Sequence, residues 1–286
     1  RLWGVELGKV SGTIRDLREV DGVIHGWHEH ESPYRLLLDM LAGMGIAADA
    51  VVGLCPSLAF FMFDAIRRLG SGYEFVDASC VTNLCRYQKT ATELALMQRA
   101  KDMTLQVHKA AASILHAGIS TTEVAEFIRE AHRKVGAPGS TFCIVLFGEA
   151  SAFPHGVKHA QVLKDGDMVL IDTGCLLHGY QSDITRSYVF GPPSDRQRAM
   201  WNLEKAAQLA AFDAARLGEP CQVVDAAARL GLEAAGLGPD YQLPGLPHRT
   251  GHGIGLDIHE GPYLVRGDQT PLAEGMCFSN EPMICV

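Results

Sequence analysis

VLIDTGCLLHGYQSDITRSYVF, residues 169–190, is a run of mostly strand-forming residues broken at His178-Gly179. Two such runs about a short turn signal read as a β-hairpin. A two-residue turn at Leu177 and His178 sets Asp172 directly opposite Asp183. Opposed residues of an antiparallel pair have Cβ atoms only about 4.5–5.5 Å apart, and like charges there are destabilising. Two carboxylates at that range need a shared proton or a cation between them; a divalent metal, or a pair, is the simpler resolution. Two other readings stay open on this stretch alone. The aspartates could be exposed ends of a surface hairpin, or a turn one residue different could point them to opposite faces.

Two further stretches bear on the choice. HRTGHGIGLDIHEGPYL, residues 248–264, packs His248, His252 and His259 among Gly251, Gly253, Gly255 and Gly261. Histidine is the commonest nitrogen ligand, and glycines let a backbone carry it close to a site. In GMCFSNEPMI, residues 275–284, an apolar run ends at Glu281-Pro282. Proline cannot donate to a sheet ladder, so Glu281 is expected where a strand stops and a cavity begins.

Together these stretches resemble the aminopeptidase P and prolidase (Xaa-Pro dipeptidase) family of metallopeptidases, M24. Its pita-bread fold, the creatinase/aminopeptidase-like fold, is shared with methionine aminopeptidases. The resemblance runs from about residue 88 to the last residue. It implies an α+β catalytic domain at 88–286, incomplete at its carboxyl end, preceded at 1–87 by part of a small α/β amino-terminal domain. It implies Asp172, Asp183, His252 and Glu281 as metal ligands, with His155 of Phe153-Pro154-His155-Gly156 and His259 beside Glu260 as substrate-contacting histidines. Two divalent ions are implied, Mn²⁺ first, with Co²⁺, Zn²⁺ or Fe²⁺ as other choices for a mostly hard ligand set.

The chemistry that the resemblance implies is hydrolysis of the peptide bond preceding proline. A hydroxide held between the metals attacks, made available near neutral pH because cations lower the pKa of bound water. Glu281 orients it and carries its proton, while His259 and His155 donate hydrogen bonds to the carbonyl oxygen as charge develops. His252 stands beside the substrate as well as binding metal. Substrates are small peptides with proline second. A dipeptidase and an aminopeptidase P acting on longer peptides are both open, as is a pita-bread binding protein without catalysis, although keeping all four ligands argues against that. A homodimer is expected.

Composition excludes other classes. The 286 residues carry a net charge of −8, which argues against a nucleic-acid partner. Eight cysteines without a CxxC are neither a zinc knuckle nor a secreted disulfide framework, and suggest a reducing, cytoplasmic compartment. No apolar run reaches the roughly 18 residues of a membrane span; the nearest, Leu36 to Leu54, is broken by Asp39 and Asp49. There is no HExxH and no G-x-S-x-G, against a zincin or a serine hydrolase.

In chain order, Arg1–Gly8 reads as a strand, Ser32-Pro33 opens a helix to Met44, and Val51–Leu54 is a short strand. Ser57 is expected to cap a helix to Leu69, and Arg86–Lys89 to be the linker. His25, His28 and His30 read as a solvated loop rather than a metal cluster. Capping boxes at Thr90/Glu93, Ser120/Glu123 and Ser194/Gln197 open three helices, and Cys221–Ala235 is a fourth. Thr141–Phe147 is a strand, and Gly236–Pro247 is the loop that delivers His252.

His248 is open between a functional and a structural role. Tyr180 and Arg186 are expected to position Asp183. His159 and His178 read as surface residues, and Arg266 as a weak candidate for holding a substrate carboxylate. The family's fifth ligand, a glutamate usually preceded by an arginine, is missing, so the chain is expected to be a fragment whose second metal lacks its bridging carboxylate. Asn280 and Met283 depart from the family pattern around Glu281.

Overall fold

In a computed structural model of the protein, residues 25–286 apart from Pro154 are described. The strand expected at Arg1–Gly8 lies outside them. The chain divides into two compact units, Arg1–Asn83 and Leu84–Val286.

In the first unit, the Ser32 side chain accepts from Arg35 N at 3.2 Å and opens α1, Pro33–Gly43. β1 (Val51–Leu54) and β2 (Glu74–Asp77) pair in parallel, as a crossover through α2 (Phe60–Leu69) requires. Ser57 does not cap α2. It contacts Cys55 Sγ at 3.0 Å, and the helix begins three residues later behind Ala59, without a side-chain cap. His25, His28 and His30 are exposed, and the His28 backbone N–H is taken up by Glu31, as befits a solvated loop. A further helix, α3 (Ser79–Tyr87), runs through the division between the units.

The expected linker is not one. Arg86 and Tyr87 end α3, Gln88 bridges to Met276, and Lys89 is buried. All three capping boxes form, opening α4 (Ala91–Ile114), α5 (Thr121–Lys134) and α6 (Asp195–Ala214). Each such cap stabilises its helix by about 1 kcal/mol. α7 spans Cys221–Ala234. Two half-domains follow one plan. In the first, α4 ends at Ile114, Gly118 turns with positive φ, Ser120 bridges Val162, and α5 is followed by Gly136, again with positive φ. In the second, α6 ends at Ala214, Gly218 turns likewise, Pro220 bridges Pro271, and α7 is followed by Gly236 with positive φ. Each half has its own core, Val107, Ile128, Val169 and Ile171 in one and Ala211, Val224, Leu232 and Leu264 in the other.

The sheet of the first half has β4 (Met168–Leu177) at its centre. β3 (Ser140–Phe147) lies on one side, and β5 (Tyr180–Gln181) and β6 (Ile184–Val189) lie on the other. The hairpin turn is His178-Gly179, not Leu177-His178: φ is 49° and 88°, the left-handed pair that a two-residue turn demands. Sliding the turn one position slides the pairing by two, so Asp172 faces Thr185 and not Asp183. A slip of two keeps every side chain on its face. Asp183 therefore stays on the Asp172 face as its diagonal neighbour.

A buried polar chain ties this hairpin to the helices. Thr104 Oγ1 lies 2.7 Å from Ser182 Oγ and 3.1 Å from His132 Nε2, and His132 Nδ1 lies 2.8 Å from Ser140 Oγ. Cys175 N donates to Ser182 Oγ at 2.9 Å. Burial, with the neighbouring His108 charge, pushes His132 down from 6.5 to about 4.

Because the folded state resists protonating His132, this group's contribution is complete above pH 6.5 and is lost as pH falls towards 4. The interval corresponds to on the order of 3 kcal/mol at about 1.4 kcal/mol per pH unit. His132→Gln should therefore flatten the fall of melting temperature between pH 7 and pH 4. A mutant whose acid limb is as steep as that of the parent would show that His132 does not carry it.

Candidate metal centre

Asp172 reaches the site from the middle of β4, where Thr185 faces it. Asp183 follows the Ser182 kink between β5 and β6, where the sheet closes on Gly174. Any Cβ there would overlap the Ser182 carbonyl, so the chain must be glycine at that point. One Asp172 oxygen, Oδ1, is buried with no hydrogen-bond partner. Burial, and then the Asp183 and Glu281 charges, push the Asp172 carboxyl up to about 7, against a hydrogen bond from Thr185.

The second half supplies His252 on β7 (Gly251–Gly253), which pairs with β8 (Glu260–Leu264). The loop before it is held by a buried ion pair: Arg229 Nε meets Asp225 Oδ2 at 2.8 Å. Arg229 also donates to the carbonyls of Asp240, Leu246 and His248, while Asp225 Oδ1 accepts from Thr250 N and Oγ1. The segment carrying Glu281 runs beside β7: Ser279 N donates to His252 O, and Glu281 N to Thr250 O. Ser279 Oγ accepts from His252 N at 3.0 Å and donates to Glu281 Oε1 at 2.8 Å, which locks both functional side chains to one hydroxyl.

His252 Nε2 then stands 2.9 Å from Glu281 Oε1 and 3.5 Å from Asp183 Oδ2. Burial alone would lower its pKa, but hydrogen bonds to Asp183 and Glu281 outweigh that and lift it to about 9. Glu281 is pushed up by burial, yet its bond to His252 holds it below the ordinary range. The His259 ring meets the His252 ring edge-on, centroids 4.2 Å apart, and one ligand atom from each of Asp183, His252 and His259 lies within 4.8 Å of the others. Burial, followed by the His252 charge, lowers His259.

His155 is exposed, and its ring meets that of His248 at 6.3 Å between centroids. His248 in turn feels the Glu281 charge, so it belongs to the same neighbourhood, although its Nδ1 lies 2.9 Å from the Arg249 carbonyl. His159 and His178 are exposed.

Two expected helpers point elsewhere. Tyr180 donates to Glu93 at 2.6 Å, and the exposed Arg186 donates to the Thr185 carbonyl; among the described residues neither hydrogen-bonds Asp183. Arg266 is engaged with Asp240, away from the carboxylates. Sequence reasoning missed Ser279 and the Asp225–Arg229 pair. The i,i+4 spacing of the latter was a visible signal, whereas nothing local marks the long-range role of Ser279.

The donor set suits a divalent cation: carboxylates and imidazole without thiolate, an orphaned carboxylate oxygen, and negative charge concentrated by burial.

The model of metallopeptidase family M24 matches residues 95–286. The chain is 33% identical over 236 residues to an Xaa-Pro dipeptidase of Pyrococcus furiosus, covering 82% of this chain and 66% of that protein. Among solved structures it is similar to dipeptidase PepE from Mycobacterium ulcerans, with a TM-score of 0.83 and 35% identity over 92% of this chain and 68% of that one. It is also similar to prolidase from Pyrococcus furiosus, with a TM-score of 0.80 and 30% identity, over 92% and 74%.

The site geometry generates a test with a defined sign. A folded carboxyl raised from 3.8 to about 7 makes chelator-treated protein lose stability as pH rises through 7. Asp172→Asn should remove that loss, raising the melting temperature at pH 8 by roughly 2–4 °C per kcal/mol relieved. The gain should vanish near pH 4 and reverse when Mn²⁺ is added. A less stable mutant in chelator at pH 8 would mean that the two aspartates do not repel.

Proposed function

Because the chain belongs to metallopeptidase family M24 and has its pita-bread fold, we propose that it cleaves the peptide bond preceding proline in dipeptides, at Asp172, Asp183, His252 and Glu281. It is a metal-dependent dipeptidase, a hydrolase. The observation that carries the site is the meeting of His252 Nε2 with Glu281 and Asp183.

In this reading Asp172, Asp183, His252 and Glu281 hold two divalent ions, Mn²⁺ by preference and Co²⁺, Zn²⁺ or Fe²⁺ as other choices. Bound there, the ions supply an acidified water and polarise the scissile carbonyl. Glu281, whose Oε1 accepts a hydrogen bond from Ser279, takes up a proton during attack and returns it to the leaving amine. His259, whose charged form burial disfavours, donates one N–H to the carbonyl oxygen as it becomes negative. His155, across His248, approaches the substrate from the other loop.

The substrate is a small peptide with proline second, and the net charge of −8 disfavours nucleic acid. Residues 88–286 form the catalytic domain and 1–87 the amino-terminal one, in a homodimer. All eight cysteines are free, in keeping with a reducing cytoplasm. Among the described residues no helix is long and apolar enough to cross a membrane.

With Mn²⁺ present, the protein should hydrolyse an Xaa-Pro dipeptide faster than its Xaa-Ala counterpart. His259→Ala should keep metal affinity by calorimetry and lose roughly two to three orders of magnitude in kcat. Unchanged turnover would remove His259 from the chemistry, and lost metal binding would make it a ligand instead.

A further inference from the structure

Glu260, the residue after His259, is buried, and its carboxylate is the hub of an ion cluster that the chemistry above does not use. Its Oε1 takes Lys89 Nζ at 2.8 Å, and the Lys89 side chain is only 2% exposed. Its Oε2 takes Arg86 Nη2 at 2.5 Å, and the same guanidinium reaches Asp257 at 2.8 Å. Asp257 N donates back to Glu260 Oε2 at 3.4 Å, so one carboxylate closes the 257–260 loop on itself and ties it to the start of α4. One glycine makes room for the carboxylate and another for the neighbouring Tyr87 ring. A Cβ at Gly255 would press on Glu260 Oε1 and Lys89 Cε, and one at Gly261 would overlap the Tyr87 hydroxyl.

His259 sits inside this braced loop. Among the described residues no hydrogen bond anchors its ring, which is half in solvent and touches the His252 ring edge-on. Its position is therefore set by its backbone, and the backbone is held on either side by Asp257, two residues before, and Glu260, directly after. We propose that Glu260, held by Lys89 and Arg86, is a positioning residue that fixes the His259 imidazole against His252. The proposal rests on the reading of His259 as the carbonyl-oxygen donor only for its effect on rate; the placement of the ring stands by itself. Removing one partner of the cluster leaves an uncompensated buried charge, whereas removing both charges together is often close to neutral. The cluster thus has a direct bearing on geometry, where a misplacement of about 1 Å can cost on the order of a hundredfold in rate.

The test compares Glu260→Gln with Lys89→Met/Glu260→Gln in the Mn²⁺-loaded protein, and reads the His259 imidazole by NMR in the metal-free protein. Glu260→Gln is expected to lower kcat by about ten- to a hundredfold, leave Mn²⁺ affinity within about twofold, and shift or broaden the His259 ring signals but not those of His155. In a His259→Ala background the same substitution should add no further loss. The double variant restores melting temperature if Glu260→Gln alone folds poorly, and its kcat should stay low. Unmoved His259 signals would overturn the proposal, as would an equal further loss in the His259→Ala background or a rate recovered in the double variant. If His259→Ala itself keeps full turnover, the catalytic reading fails, while the imidazole signals still decide whether Glu260 places the ring.

Discussion

Three carboxylates and one imidazole converge at a single half-buried point, and this concentration of like charge is what the remaining structure has to sustain. Two unit charges about 4 Å apart repel by about 4 kcal/mol at an effective dielectric of about 20. Asp172, Asp183 and Glu281 form such a group, with His252 between the last two as the only cation in direct contact among the described residues. A fold that merely needed stability would not place an orphaned carboxylate oxygen there. The arrangement makes physical sense as a cation site, and family membership gives that site its chemistry.

Asp183, His252 and Glu281 are each fixed by buried polar interactions in their own half. On the first half, Thr104, Ser182 and Cys175 hold the kink that carries Asp183. On the second, Asp225 and Arg229 hold Thr250, and Ser279 joins His252 to Glu281. These bonds lie behind the carboxylates and the imidazole and contribute orientation: a carboxylate held by its backbone on a sheet cannot relax away from its neighbour. The two halves share one plan of long helix, glycine turn and shorter helix.

The helices were legible because their caps are local. Thr90/Glu93, Ser120/Glu123 and Ser194/Gln197 each decide a helix start within four residues. The hairpin was legible in its faces and wrong in its register. Gly179 accepts the positive φ of a two-residue turn, which moves the turn one place and the pairing two, leaving Asp172 and Asp183 on one face. Asp172, Asp183, His252 and Glu281 were named from motif resemblance, and the geometry brings them together. What the sequence did not reveal is long-range: Tyr180 turning to Glu93, Arg266 to Asp240, and Lys89 to Glu260 across 171 positions. No periodicity or spacing announces a contact between distant segments, and the segment expected as a linker, Arg86–Lys89, is instead a helix end, a bridge to Met276 and a buried ion pair.

The central claim is that these carboxylates are gathered to hold divalent cations. Diffraction from Mn²⁺-soaked crystals, collected near the manganese absorption edge, tests it most directly. The account predicts anomalous density within bonding distance of Asp172, Asp183, His252 and Glu281. Density elsewhere, or a site occupied without Asp172 and Asp183 contributing oxygen to it, would contradict the account.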